Sequence, residues 1–217
     1  MTIAPDGRSL VGDVVRLDRL QAADIEPLYA AIGNEQVYAA GFGGGSAGMP
    51  TDAEHMREQW VESAAQRAAY VVRLVGDSSL GAGGTVVGST SLGDVDLPNE
   101  SVHLGWTGYA PAVWGTAVNP ACKFLLLQHA FEDCGFGRVK IQTGLTNTRS
   151  QAAIAKLGAT REGVLRRHKR LADGSFRDTV VFSILADEWP DVRKGLLARI
   201  TGLSRDRARW RGARVSG

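Results

Sequence analysis

The residues with the clearest chemical meaning lie in one stretch, Pro111 to Phe131, PAVWGTAVNPACKFLLLQHAF. A proline and the Gly115 turn lead into a strongly helical run. The first N–H groups of such a helix lack intrahelical partners, and the positive end of the helix dipole adds to them, so the junction suits an anion such as a phosphate. No Gly-Lys-Ser/Thr follows the turn, which argues against a P-loop. A second group is cationic. In RRHKR, strand alternation places Arg166, His168 and Arg170 on one face, where they could meet a carboxylate or simply water. No Ser-His-Asp spacing offers a nucleophile. Cys122 and Cys134 fall on one expected helix, about 18 Å apart at ~1.5 Å per residue, too far to bridge. They read as small buried hydrophobes, and no metal site is expected.

These residues sit in a chain of 217 residues, 44% hydrophobic and 22% charged, the profile of a soluble globular protein. No apolar run reaches the ~18 residues of a membrane span, and the start, MTIAPDGRSL, lacks the pattern of a signal peptide. The cytoplasm is the expected compartment. The net charge of +2 hides an asymmetry: from Arg193 onward there are seven arginines, Lys194 and one acid. The tail RDRARWRGARVSG could meet nucleic acid or an anionic surface, although a solvated terminus is the favoured reading and nucleic acid is not the expected partner.

The elements that must position the chemistry follow from periodicity. DVVRLDRL (Asp13–Leu20) alternates as a strand, and Ile25, Leu28, Tyr29 and Ile32 share a helix face. Gly41–Pro50 is too glycine-rich for regular structure and reads as a connector or a mobile lip over a site. Thr51 is expected to cap a second helix, with Glu54 completing a capping box, running to about Ala68. AYVVRLVG, TVVGSTSLGDVD and SVHLGWTGYA form an antiparallel meander. Next comes the helix whose apolar face carries Val118, Cys122, Leu125, Leu126 and His129, ended by Gly135. The strand RVKIQTGL, a short helix capped by Asn147 and stopped by Gly158, a closing hairpin with the turn ADGS, and a terminal helix complete the order. One domain spans 10–189, with a basic helix or tail at 190–217.

That order, and two motifs, resemble the Gcn5-related N-acetyltransferases, within them the RimJ/RimL-like branch, over roughly Val14 to Trp189. Trp114-Gly115-Thr116-Ala117-Val118-Asn119 lies on the superfamily's Q/R-x-x-G-x-G/A signature, with Trp114 in place of Gln/Arg and Ala117 and Asn119 at the small-residue positions. The branch element N-x-x-S-x-x-A-I-x-K-L-G-x-x-x-E-G is matched at Asn147, Ser150, Ala153, Ile154, Lys156, Leu157, Gly158, Glu162 and Gly163. The resemblance implies an α/β (α+β) fold with a mixed, mostly antiparallel sheet flanked by helices, and splayed strands holding acyl-CoA. It implies that Trp114, Gly115, Thr116, Ala117, Val118 and Asn119 cradle the CoA diphosphate. Main-chain groups at Thr107 and Tyr109, with Asn147 opposite, would line the pantetheine arm.

Acyl transfer to an amine needs a neutral amine, a stabilised oxyanion and a proton for the departing thiolate. His103 stands near where superfamily members carry a glutamate base, with Glu100, Glu162 and His168 as rivals. Ile154 occupies the position of the usual acid tyrosine, and resemblance points instead to Ser150. The expected activity is direct transfer of an acetyl or succinyl group from CoA to a primary amine, on a small molecule or a protein N-terminus, by a protein that could be a homo-oligomer. Arg166, His168 and Arg170 would select a carboxylate. The alternative is a non-catalytic CoA-binding regulatory or nucleic-acid-binding module.

Overall fold

The computed structural model describes residues 1–64 and 66–212, with side chains omitted at 61–64 and 205–212. The basic tail expected from Arg205 onward therefore lies, in its side chains, outside the described residues. Eight strands form one sheet in the order β1-β2-β3-β4-β5-β6-β8-β7. They are β1 (Leu10–Val11), β2 (Val15–Arg19), β3 (Ala68–Leu74), β4 (Val86–Asp96), β5 (Ser101–Tyr109), β6 (Arg138–Gly144), β7 (Thr160–Arg170) and β8 (Phe176–Leu185). Every neighbouring pair is antiparallel except β5 and β6, which run parallel. The helices are α1 (Ile25–Ile32), α2 (Glu35–Ala39), α3 (Ala53–Ala64), α4 (Val118–Gln128), α5 (Thr148–Ala155) and α6 (Trp189–Gly212).

Two cores cover opposite faces of the sheet. Beneath α4 and α6, Leu17, Tyr70, Val72, Leu92, Val102, Leu104, Val139, Val180 and Phe182 pack against Val118, Cys122, Leu126 and Leu196. On the other face, Val71 and Val86 meet Ile25, Leu28 and Ile32 of α1, Tyr38 of α2 and Met56 of α3. α1 to α3 cover the β3–β4 region, leaving part of the β6–β8–β7 surface open to a cavity of about 380 Å³ lined by Asp94, Lys140, Gln142, Glu162, His168 and Lys169, among others.

Several expectations are corrected. Asp52, not Thr51, caps α3, because its Oδ1 accepts the His55 N–H at 2.8 Å. α3 stops at Ala64, since Ala68 already pairs with Leu92 in the sheet. The Gly41–Pro50 stretch is not irregular throughout: it holds two 3₁₀ turns, Phe42–Gly44 and Ser46–Gly48, made possible by positive φ at Gly43, Gly44 and Gly45. β1 and α2 are too short to leave a periodic signal. α4 continues through a π-type turn, His129–Asp133, before Gly135 (φ 71°) ends it.

Candidate active site

The Gly115 turn enters α4 with the expected free amides, less one. Thr116 Oγ1 donates to Val113 O at 2.7 Å and accepts the Val118 N–H at 3.2 Å, so Val118 is satisfied internally and its N–H is withdrawn from the expected anion set. The N–H groups of Gly115, Thr116 and Ala117 have no partner among the described residues, and Asn119 sits at the second helical position, where no intrahelical acceptor exists. Gly115 has φ 71°, and a Cβ placed there meets nothing within 4 Å. The turn is thus an open backbone surface with unpaired donors, which fits a diphosphate.

The sheet opens beside it. β5 and β6 pair at Ser101–Arg138, Val102–Val139 and His103–Lys140 and no further, so the two strands diverge toward Tyr109 and Gly144. Within β5 the register to β4 also breaks: Ser91 faces Gly105 and Ser89 faces Gly108, leaving Trp106 and Thr107 opposite Thr90 alone. Trp106 adopts φ 50°, an uncommon value for a bulky residue. Such a bulge leaves one strand residue outside the ladder. The side chain of Thr107 turns from the gap: its Oγ1 lies 2.9 Å from Thr90 Oγ1 and accepts from Lys123 Nζ at 2.8 Å. Tyr109 packs toward the α4 core with its hydroxyl buried, and its carbonyl accepts the Trp114 indole N–H at 2.9 Å. Both side chains are thus engaged or buried elsewhere, and main-chain groups of β5 are what remain for a ligand in the gap.

α5 forms the opposite rim. Asn147 Oδ1 accepts the Ser150 N–H at 2.9 Å, the N-cap expected of it, while Nδ2 donates to Ala40 O at 2.8 Å. The amide thus ties α5 to the glycine segment. Ser150 is half-buried in the first turn of α5. Between it and the cap, Arg149 stacks over Trp114 at 3.9 Å from the ring centre, placing a cation beside the α4 entry. Trp114 stands where the superfamily signature has Gln or Arg, and a guanidinium reaches the same place from α5.

His103 is 4% exposed and its Nδ1 lies 3.0 Å from Asp94 Oδ2, to which Lys140 Nζ also donates at 3.3 Å. The His103 hydrogen bond holds the Asp94 carboxyl well below its usual range. Burial lowers the His103 pKa despite that carboxylate, with Lys140 and Lys123 adding to the decrease. The ring is therefore neutral at pH 7, with Nδ1–H on Asp94 and Nε2, which has no hydrogen-bond partner among the described residues, as the basic nitrogen. Of the rival bases, Glu162 is committed to Arg138 and to Ser183 Oγ.

Arg166, His168 and Arg170 do not share a face. Leu165 pairs with Thr179 and Lys169 with Arg177, so three β7 residues oppose Asp178 alone, and Arg167 takes φ 52°. The bulge breaks the alternation. His168 lines the cavity with Lys169, whereas Arg166 and Arg170 are exposed and do not. Arg177, absent from the sequence reading, lies across Gly144 at the end of β6. A buried Lys123 was equally missed, although a lysine beside Cys122 in the apolar stripe of α4 is a visible irregularity.

The Gly115 turn, the parted β5–β6 pair and the His103–Asp94 pair are carried on a fold shared with solved acetyltransferase-type structures. The chain belongs to the family described as Acetyltransferase (GNAT) domain, whose model matches residues 15–160. It is 34% identical to a solved acetyltransferase-type structure, covering 92% of this chain and 96% of that one with a TM-score of 0.76. An acetyltransferase-type structure from T. thermophilus is 33% identical, covering 92% and 99%, with a TM-score of 0.75. A curated relative from Bacillus subtilis, "Putative ribosomal N-acetyltransferase YdaF", is 29% identical over 106 residues, 49% of this chain and 57% of that protein. The chain thus matches little more than half the length of this relative. No helix among the described residues is long and apolar enough to cross a membrane, and no group of His, Cys, Asp and Glu among them could hold a metal ion.

Proposed function

We propose that the protein transfers an acyl group from acyl-CoA directly to a primary amine in a ternary complex, in the cytoplasm. The observation that carries this reading is the parting of β5 from β6 after three residue pairs, with the free amides of the α4 entry beside the opening. Acyl-CoA supplies an activated thioester. Gly115, Thr116, Ala117 and Asn119 hold its diphosphate by their N–H groups, with Arg149 as a neighbouring cation. The bulge at Trp106–Thr107 offers a strand N–H to the acyl oxygen, where negative charge develops during transfer. His103 Nε2 takes the proton of the attacking amine, directly or through water, while Asp94 fixes the tautomer and steadies the imidazolium. Ser150 passes a proton to the leaving sulfur. Both cysteines are buried with raised pKa values, Cys122 at about 12 and Cys134 at about 11, which supports direct transfer rather than an acyl-enzyme.

The acceptor is a small amine or a protein N-terminus; the B. subtilis relative's name favours the latter. His168 Nδ1, Arg177 Nε and Thr179 Oγ1 are buried without partners among the described residues, and burial lowers the pKa of both His168 and Arg177. Such a group supports recognition of a carboxylate, including that of a succinyl donor. The test is an acyl-CoA turnover assay with mixed amine acceptors, run with acetyl-CoA and succinyl-CoA. Gly115→Glu should abolish both turnover and the thermal stabilisation by CoA, which follows RT ln(1 + [L]/Kd). Stabilisation persisting in that variant would remove the turn from the site. If the cations read a carboxylate, Arg177→Ala should erase any preference for succinyl-CoA, whereas equal affinity for both donors in the wild type leaves acetyl as the donor.

A further inference from the structure

Lys123 is 6% exposed in the core face of α4, and burial lowers its pKa to about 7. Among the described residues its side chain enters no ion pair and makes one hydrogen bond, to Thr107 Oγ1 at 2.8 Å. An ammonium with a single hydroxyl partner is a costly way to fill a core position that an aliphatic chain would fill well. Its contact, however, falls on the irregular part of β5. Thr107 Oγ1 also lies 2.9 Å from Thr90 Oγ1 and donates toward Gly105 O at 3.3 Å. Thr90 is the residue that faces both Trp106 and Thr107, and Gly105 is the neighbour at which pairing resumes. The lysine, two threonine hydroxyls and a carbonyl therefore fasten the bulge from beneath, next to a Trp106 backbone at φ 50°.

We propose that Lys123 is a positioning residue for acyl transfer: by holding Thr107 against Thr90, it fixes the Trp106–Thr107 bulge in the shape that presents a strand N–H to the acyl carbonyl. This rests on the reading of the site given under Proposed function. The diphosphate turn lies a helical turn away and does not depend on this link, so donor affinity and turnover are affected separately.

The test uses Lys123→Met, Thr107→Val and the double variant in the full chain. Turnover number should fall about tenfold in each single variant, less than the ~10²–10³-fold loss that follows removal of an oxyanion donor itself. KM for acyl-CoA and Kd for CoA should stay within about twofold of wild type, the pattern of an interaction expressed in the transition state. The double variant should be no worse than the worse single one, because both break one link. Unchanged kcat in Lys123→Met, additive losses, or kcat and Kd worsening together would each overturn the proposal. Amide hydrogen exchange without substrate gives an arm independent of catalysis. Faster exchange confined to Gly105–Gly108 in both single variants supports the link even if no acyl-CoA is turned over, in which case the acyltransferase reading alone fails. Unchanged exchange there overturns the link whatever the activity.

Discussion

The Arg149 guanidinium lies 3.9 Å from the centre of the Trp114 ring, joining the first turn of α5 to the turn that enters α4. The same indole donates to the last carbonyl of β5, Tyr109 O. One aromatic side chain thus connects both rims of the parted strands and carries a cation to the Gly115 turn.

Arg149→Met should weaken CoA binding by about fivefold, on the order of 1 kcal/mol, the scale of a partly exposed cation–π contact with its charge near an anion. Calorimetry at two salt concentrations measures it, and the loss should shrink at high salt because screening already weakens the wild type. An affinity independent of both substitution and salt would show that the guanidinium serves packing alone.

Turnover should depend on pH through His103. Burial lowers its pKa below the ordinary histidine value of 6.5, so kcat at saturating acceptor should hold down to about pH 6.5 and decline only in more acidic buffer. Asp94 favours the protonated ring, so Asp94→Asn should move that acid limb to still lower pH while reducing kcat about tenfold or more through loss of the tautomer. His103→Gln should remove the limb. A profile unchanged in His103→Gln would exclude this histidine as the base.

Lys123 makes stability depend on pH in the opposite range. Its folded-state pKa of about 7 lies below the ordinary lysine value of 10.5, so between these values the unfolded chain binds a proton that the folded chain does not. Stability should therefore climb as pH rises from about 7, by at most ~1.4 kcal/mol per unit, and the burial penalty is at its full size below pH 7. Denaturant titrations from about pH 7 to pH 9.5 should show the climb in wild type and a flatter line in Lys123→Met. Equal slopes would place the ammonium in contact with water.

Local grammar explains what the sequence made legible. Asn147 before a helical run is an N-cap by chemistry, and the alternation of SVHLGWTGYA and RVKIQTGL marks β5 and β6 whatever they pair with. Their parting was legible through family resemblance alone, since no residue in either strand encodes the loss of a ladder. The β7 reading failed because it assumed a two-residue repeat. The structure interrupts that repeat at Arg167, where φ 52° on an arginine leaves no trace in composition. Thr51 lost the α3 cap to Asp52, its neighbour with an equally good acceptor. The Trp114–Arg149 and Lys123–Thr107 contacts join residues 35 and 16 positions apart, beyond any periodic signal.

The three residue pairs between β5 and β6 divide the sheet mechanically into a plate of five strands and a plate of three. The Gly115 turn and His103 ride on the larger plate, Asn147 and Ser150 on the smaller. With so short a seam, their alignment is stored in the apolar layer under both plates, where Leu104 and Val102 share one core with Val139, Ile141 and Val180. The width of the opening, and with it the reach between His103 and Ser150, is therefore set by side-chain volume beneath the sheet more than by hydrogen bonds within it.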